Sequence, residues 1–314
     1  MCEESLKGAA PLIKLPQRPS NRSINRRSSA IRVDFYSKSC PQFEQLVSSI
    51  TSQQFKDSPV SAPATIRLFF HDCFVEAIRI HSIQSIPSVA GCDGSILISA
   101  SGAEREAEEN KSLAKEGFEV VDKVKALVET KCPSIVSCAD AGGPYYQVKK
   151  GRWDGKISKA SRVGSNIPRA NSTIDQLLNL FASKGLSLKD MVALSGAHTI
   201  GFSHCNQFLR RLYNYKGTNK ADPSMDLRLL KALRMSCPPF GGSAGVIVPF
   251  DVAAPLLSTM HIMETWRRRW DCSRRIKGCS WMKGQGQWWW NWGRRRRSFL
   301  RRLGRPWKRW VGLE

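Results

Sequence analysis

The sequence predicts a mainly α fold with little β, and three observations carry that prediction: an apolar rhythm of helical period recurs in separate stretches, alternating strand patterns are scarce, and capping and stop residues bracket the rhythmic stretches. In chain order, ATIRLFFHDCFV places Arg67, Phe70, His71 and Phe74 at i, i+3, i+4 and i+7 on one helical face. Phe118, Val121, Val124 and Val128 form a second stripe, ended by Cys132-Pro133. In NSTIDQLLNLFASKG, Ile174, Leu177, Leu178 and Phe181 follow Ser172 or Thr173 as cap, with Gly185 as stop. In SLKDMVALSGAHTIGFSHC, Ser187 and Asp190 have the spacing of a capping box and Gly196 closes the apolar run. Cys205, Phe208, Leu209, Leu212 and Tyr213 give a further helix. No internal repeat and no long linker interrupts residues 31–257.

The 314 residues suffice for one large domain or two medium ones. Charge is unevenly spread. Residues 258–314 hold nine of the ten Trp and, with sixteen Lys/Arg against three Asp/Glu, thirteen of the 23 net positive charges, so the body is only mildly basic. Ten Cys favour an oxidising compartment over the cytosol. No run reaches the roughly eighteen apolar residues of a membrane span, and residues 1–30 lack the apolar stretch of a secretory signal.

Two places concentrate chemistry. On the 67–74 stripe a cation and an imidazole share an apolar face; this is either a satisfied core His beside a snorkelling Arg, or a dry pocket in which a near-neutral base works next to a permanent positive charge. His198 sits at a helix end, where an imidazole is either structural or suited to be an axial haem ligand.

FFHDCF with Arg67 before it, GCDGSIL, CPSIVSCAD and LSGAHTIG together resemble the class III secretory haem peroxidases of plants, over a span from about Val33-Asp34-Phe35-Tyr36 to about Leu257. The resemblance implies a two-lobed fold gripping haem b between a distal and a proximal helix. It implies His198 as the iron ligand, His71 as the base that moves a proton between the oxygens of hydrogen peroxide, and Arg67 as the cation that meets charge on the leaving oxygen. Phe70 would shield the iron, Asn110 would accept a hydrogen bond from the distal imidazole, and Pro168 would form the lip where phenolic donors deliver single electrons. Asp72, Asp93 and Ser95, with the carbonyls of Val75 and Gly91 and support from Glu104, match a distal calcium site. Thr199 and Asp251 match a proximal calcium site, but Ala254 and Thr259 depart from it, and that site is expected to be lost. The implied disulfides are Cys40 to Cys132, Cys73 to Cys92 and Cys205 to Cys237. Taken alone, Asn110 and the acids read as exposed loop residues. The implied partners are hydrogen peroxide and small phenols acting on a secreted monomer, with no nucleic acid.

The chain divides into an atypical basic segment, 1–31, a peroxidase domain, 32–257, and an aberrant tail, 258–314, and three departures from the family pattern mark it. Residues 77–90 have no counterpart in the family and stretch the loop that carries the calcium ligands and the Cys73 bridge. After Asp140 about a dozen residues of apolar helix are missing. The tail, shifted by one base, can be read from Ser258 as FDHAYYGNLEAKVGLLATDQGLFLDE, which is peroxidase sequence and contains the Asp that in the family accepts a hydrogen bond from the proximal His. A frame error just after Leu257 therefore explains its Trp and Arg content. The alternatives are an inactive peroxidase-like product, or a tail in which Arg294 to Arg297, Arg301, Arg302, Lys308 and Arg309 with interleaved Trp bind nucleic acid or an anionic surface. Asn171-Ser172-Thr173 is a glycosylation sequon for a chain in the secretory route.

Overall fold

A computed structural model describes residues 31–75, 92–141, 149–239 and 245–251. Residues 77–90, Gly91, Ala254, Thr259 and the tail lie outside these, as do the residues that follow Ala141. By contacts the chain forms two units, one running through Leu188 and the other beginning at Lys189. Each is mainly helical, as the periodicity predicts.

The first unit is built on three long helices, α1 (Phe43–Asp57), α2 (Ser61–Val75) and α3 (Lys115–Lys131). In α3 the side chains of Val120, Val124 and Val128 are fully buried because their spacing keeps them on one face. Each removes enough apolar surface from water to be worth about 1.5–3 kcal/mol. They join Tyr36, Phe43 and Leu68 in one core. Helix α2 packs on α3, and the approach is close: a Cβ added at Gly117 would stand 2.9 Å from the Ala64 carbonyl oxygen. Pro133 follows α3, whose C-cap residue Cys132 leaves helical geometry at φ −136°.

A buried ion pair fixes the segments that flank the undescribed residues 142–148. Asp140 and Arg152 meet at 3.1 Å with side chains 0% and 8% exposed. The Tyr36 hydroxyl and the Gly151 and Arg152 amides also donate to Asp140. A buried charge survives only when so many partners replace its water. Helix α4 (Ile174–Ser183) starts in a complete capping box in which the Thr173 hydroxyl accepts from Gln176 N and the Gln176 side chain accepts from Thr173 N. Thr173, not Ser172, is therefore the cap: the Ser172 hydroxyl accepts from Arg169 N instead. Gly185 takes φ +72°, the left-handed stop the sequence predicts.

In the second unit α5 (Leu188–Ser195) runs into a 3-10 turn, Gly196–Thr199. Strands β1 (Phe202–His204) and β2 (Ile247–Pro249) pair antiparallel, with Ser203 opposite Val248. The helix expected from Cys205 to Tyr213 is broken into a 3-10 turn, Cys205–Gln207, and α6 (Leu209–Tyr213). The reason is that Cys205 is tied elsewhere. Its amide donates to Val246 O, continuing the strand pairing, and its sulfur is bridged to Cys237. Helix α7 (Leu227–Ser236) is capped by Asp226, which accepts from Arg228 N and Leu229 N at 3.0 Å each. Leu212, Leu230 and Val248 close the core of this unit around the disulfide.

Cys40–Cys132, Cys73–Cys92 and Cys205–Cys237 are all formed. The extra residues before Gly91 leave the Cys73–Cys92 bridge closed across a separation of 19. Lengthening a loop adds closure entropy only logarithmically, so an insertion there is a small thermodynamic burden. Cys138 is disulfide-bonded as well.

Candidate functional site

Helix α2 carries the first cluster because its heptad-like spacing turns Arg67, Phe70, His71 and Phe74 to one side. His71 and Phe74 are buried; Arg67 and Phe70 are half-buried. Phe70 stacks on Phe74 with centroids 4.7 Å apart and meets the His71 ring edge-on at 5.9 Å. The imidazole is thus walled on one side by aromatic surface.

His71 Nδ1 lies 2.6 Å from Asn110 Oδ1. Since an amide oxygen only accepts, the neutral ring carries its proton on Nδ1 and keeps its lone pair on Nε2. The amide is itself oriented, because Asn110 Nδ2 donates to Glu104 O at 2.8 Å and Asn110 is 3% exposed. Read alone as an exposed loop amide, Asn110 is in fact buried. Burial, followed by the positive charge of Arg67, pushes the His71 pKa down to about 4, with the Asn110 bond opposing the fall. His71 is therefore a neutral base across the physiological range.

The Arg67 guanidinium donates to Ser112 O at 2.6 Å and Ser112 Oγ at 2.8 Å. Ser112 follows Asn110 by two residues, so one short segment orients both the base and the cation. Nothing in local spacing announces that partner 45 residues away.

Directly after His71 in the chain, Asp72 opens a cluster of acids. Asp72 accepts from Gly94 N at 3.0 Å and Ile96 N at 3.3 Å. Its burial, with the nearby charges of Asp93 and Asp154, pushes its pKa up to about 7. Ser95 and Glu104 are 0% exposed, and the Ser95 hydroxyl has no hydrogen-bond partner. Asp154, which the sequence reading passed over, accepts from Cys138 N and Ala139 N. Lys184 donates to the Val75 carbonyl at 3.4 Å. Gly91 lies outside the described residues. No group of three or more His, Cys, Asp or Glu side chains placed to hold a metal ion occurs among the described residues, so a cation at Asp72 and Asp93 would depend on hydroxyl and carbonyl oxygens as well.

Pro168 is half-buried on the loop before α4. Its neighbour Arg169 pairs with Glu109, the residue before Asn110, at 2.5 Å.

In the second unit His198 is exposed on the turn after α5, with Nδ1 2.9 Å from the Ser195 carbonyl. That acceptor again leaves the lone pair on Nε2. Phe250 packs edge-on against the ring at 4.7 Å. Thr199 and Asp251 are 1% and 3% exposed. The two imidazoles belong to different units.

Comparison with known proteins places residues 47–273 on the family model described as Peroxidase. Peroxidase 19 of Arabidopsis thaliana is 57% identical, the match covering 79% of this chain and 72% of that protein. Peroxidase 55 is 44% identical over 68% of this chain and 65% of its own length, and Peroxidase 16 is 42% identical over 66% and 64%, both from Arabidopsis thaliana. The chain spans just under two thirds of the latter two.

Proposed function

The chain belongs to the peroxidase family and is a peroxidase by that membership, and from this premise we propose that it reduces hydrogen peroxide to water with haem b while oxidising phenolic donors in one-electron steps. The observation that carries the reading is the buried His71–Asn110 pair beside Arg67: a neutral base with a fixed tautomer next to a permanent cation.

His198 fits an iron. Its ring is exposed, and the Ser195 carbonyl on Nδ1 leaves Nε2 as the donor nitrogen. When bound, haem supplies the electrons that cleave the peroxide bond. The chain supplies the proton transfer: His71 Nε2 takes a proton from one peroxide oxygen and returns it to the other as that oxygen leaves. Arg67 meets the negative charge growing on the leaving oxygen. Two of its N–H groups are spent on Ser112, which holds the guanidinium in place before the charge appears. Phe70 keeps bulky donors away, and Pro168 borders the edge where phenols give up electrons.

We also assign a calcium ion to Asp72, Asp93, Ser95 and the Val75 carbonyl, with the Gly91 carbonyl as a further ligand and Glu104 in support. The residues fit it: a buried hydroxyl without a partner and a carboxyl pushed up by burial and by two other acids are what a divalent cation would relieve. Thr199 and Asp251 are left without a proximal ion. Three disulfides support a place in the secretory route, and among the described residues no helix is long and apolar enough to cross a membrane.

The test is haem reconstitution of the full chain followed at the Soret band. His198→Ala is expected to abolish haem uptake. His71→Ala is expected to retain haem and slow peroxide cleavage by about 10²–10⁴-fold. Equal loss of haem in both variants sinks the assignment.

A further inference from the structure

The ion pair between Arg169 and Glu109 joins the loop after Pro168 to the segment that orients the distal base, and neither residue has a part in the peroxide chemistry above. Arg169 Nη2 stands 2.5 Å from Glu109 Oε1, with side chains 57% and 13% exposed. The next residue after Glu109 is Asn110, whose Oδ1 is 2.6 Å from His71. An exposed guanidinium is therefore one ion pair and one peptide away from the residue that fixes the base. Gly164 makes room for the pair: a Cβ there would come within 3.0 Å of Arg169 Nη2 and 3.4 Å of Glu109 Oε1.

We propose that Arg169 determines donor specificity by receiving the carboxylate of an acidic phenol, so that this enzyme prefers phenolic acids to neutral phenols. The proposal rests on the peroxidase reading, with Pro168 at the donor edge. Glu109 engages the guanidinium through one Nη and is itself largely covered, which fixes the orientation of the group while more than half of the side chain remains open. A guanidinium offers its N–H groups in a planar fork that matches a carboxylate with two bonds. Because the side chain is already held, a second carboxylate binds with less loss of rotamer freedom than a loose surface Arg would suffer. The gain is that of a solvent-exposed pair competing with Glu109, about 3–5-fold in affinity.

The experiment compares 4-hydroxy-3-methoxycinnamate with its methyl ester, which lacks the charge and carries one extra methyl group, so the change in the ratio on altering Arg169 isolates the charge. Dissociation constants are measured by calorimetry on the full chain without peroxide, and KM values on the haem-loaded enzyme with peroxide. The acid is expected to bind about 3–5-fold tighter than the ester, and Arg169→Gln to bring the ratio to about one in both measurements. Glu109→Gln, whose amide oxygen can still hold the guanidinium but whose competing charge is gone, is expected to widen it, and added salt to narrow it. Equal binding of acid and ester by the unaltered chain overturns the proposal, as does a ratio that survives Arg169→Gln. Lack of haem uptake or of turnover with both donors counts against the peroxidase reading itself; the calorimetric ratio then decides the Arg169 assignment on its own.

Discussion

Replacing Asn110 by Leu separates what the amide does for His71 from what it does for the fold. The side chain is 3% exposed and makes two buried bonds, 2.6 Å to His71 Nδ1 and 2.8 Å to Glu104 O. Leu shares its branching but strands both partners, at about 1–3 kcal/mol each. The loss of about 2–6 kcal/mol is smaller than the 5–15 kcal/mol of most typical domains, so a folded variant is expected. The kinetic effect follows from the tautomer. A bond of about 1–3 kcal/mol holds the proton on Nδ1 by roughly ten- to a hundredfold; without it about half the rings present N–H where the peroxide proton must land. The bond also raises the His71 pKa against burial and Arg67, so its removal carries the pKa further below about 4 and weakens the base. Together these predict a fall of about tenfold in the second-order rate with hydrogen peroxide, smaller than the loss for His71→Ala. Stopped-flow spectroscopy at the Soret band from about pH 3.5 to about pH 8 provides the assay. With His71 as the proposed base, the rate of the unaltered enzyme should fall as pH drops through about 4; in the Asn110→Leu variant this limb must move to lower pH while the plateau drops. A plateau within about twofold of the parent, or a limb that moves up, refutes the argument.

Three further outcomes are expected. Calcium removal with a chelator should lower the melting temperature more at about pH 8 than at about pH 5: Asp72 titrates near 7 when folded, above its ordinary value, so the cation-free chain loses stability as pH rises through that interval and the ion restores it. A melting temperature indifferent to chelation at both pH values would remove the ion from that site. Changing Cys205 and Cys237 together to Ser opens a separation of 32 residues and should cost about 3.5–4 kcal/mol in guanidinium unfolding; a loss below about 1 kcal/mol would mean that the unfolded chain is already constrained there. Asp222, whose side chain is 4% exposed, accepts from Ser224 N and Oγ and pairs with Arg211 at 2.9 Å. These bonds outweigh burial and hold its pKa below the ordinary carboxylate value. Asp222→Asn should therefore destabilise by about 1–3 kcal/mol at neutral pH, and the gap to the parent should close as acid protonates the parent's Asp222; a gap that persists in acid would show that the effect is steric.

What local spacing specifies was legible in the sequence. The valine stripe of α3, the cap and stop of α4 and the shared face of Arg67, Phe70, His71 and Phe74 all follow from a repeat near 3.6 residues, and each appears in the structure. Long-range ties were not legible. The stretch from Cys205 to Tyr213 has a helical pattern, yet a sulfur bridge and a strand pairing outweigh propensity at its start. Ser112, Asp154 and the Glu109–Arg169 pair are polar residues with unremarkable neighbours, and only the path of the chain brings them to Arg67, Asp72 and the segment before Asn110. The resemblance supplied what spacing could not, the pairing of His71 with Asn110 and of six cysteines.

The contact between Gly117 and Ala64 makes one hydrogen atom the spacer between two helices. Ala64 lies two turns ahead of His71 on the same rigid rod, so prying the rods apart by a methyl group would tilt the imidazole away from an amide anchored elsewhere. Selection on the reaction thus reaches a position that never meets a substrate, and substitutions at 117 should register first as lost peroxide turnover and only then as lost fold.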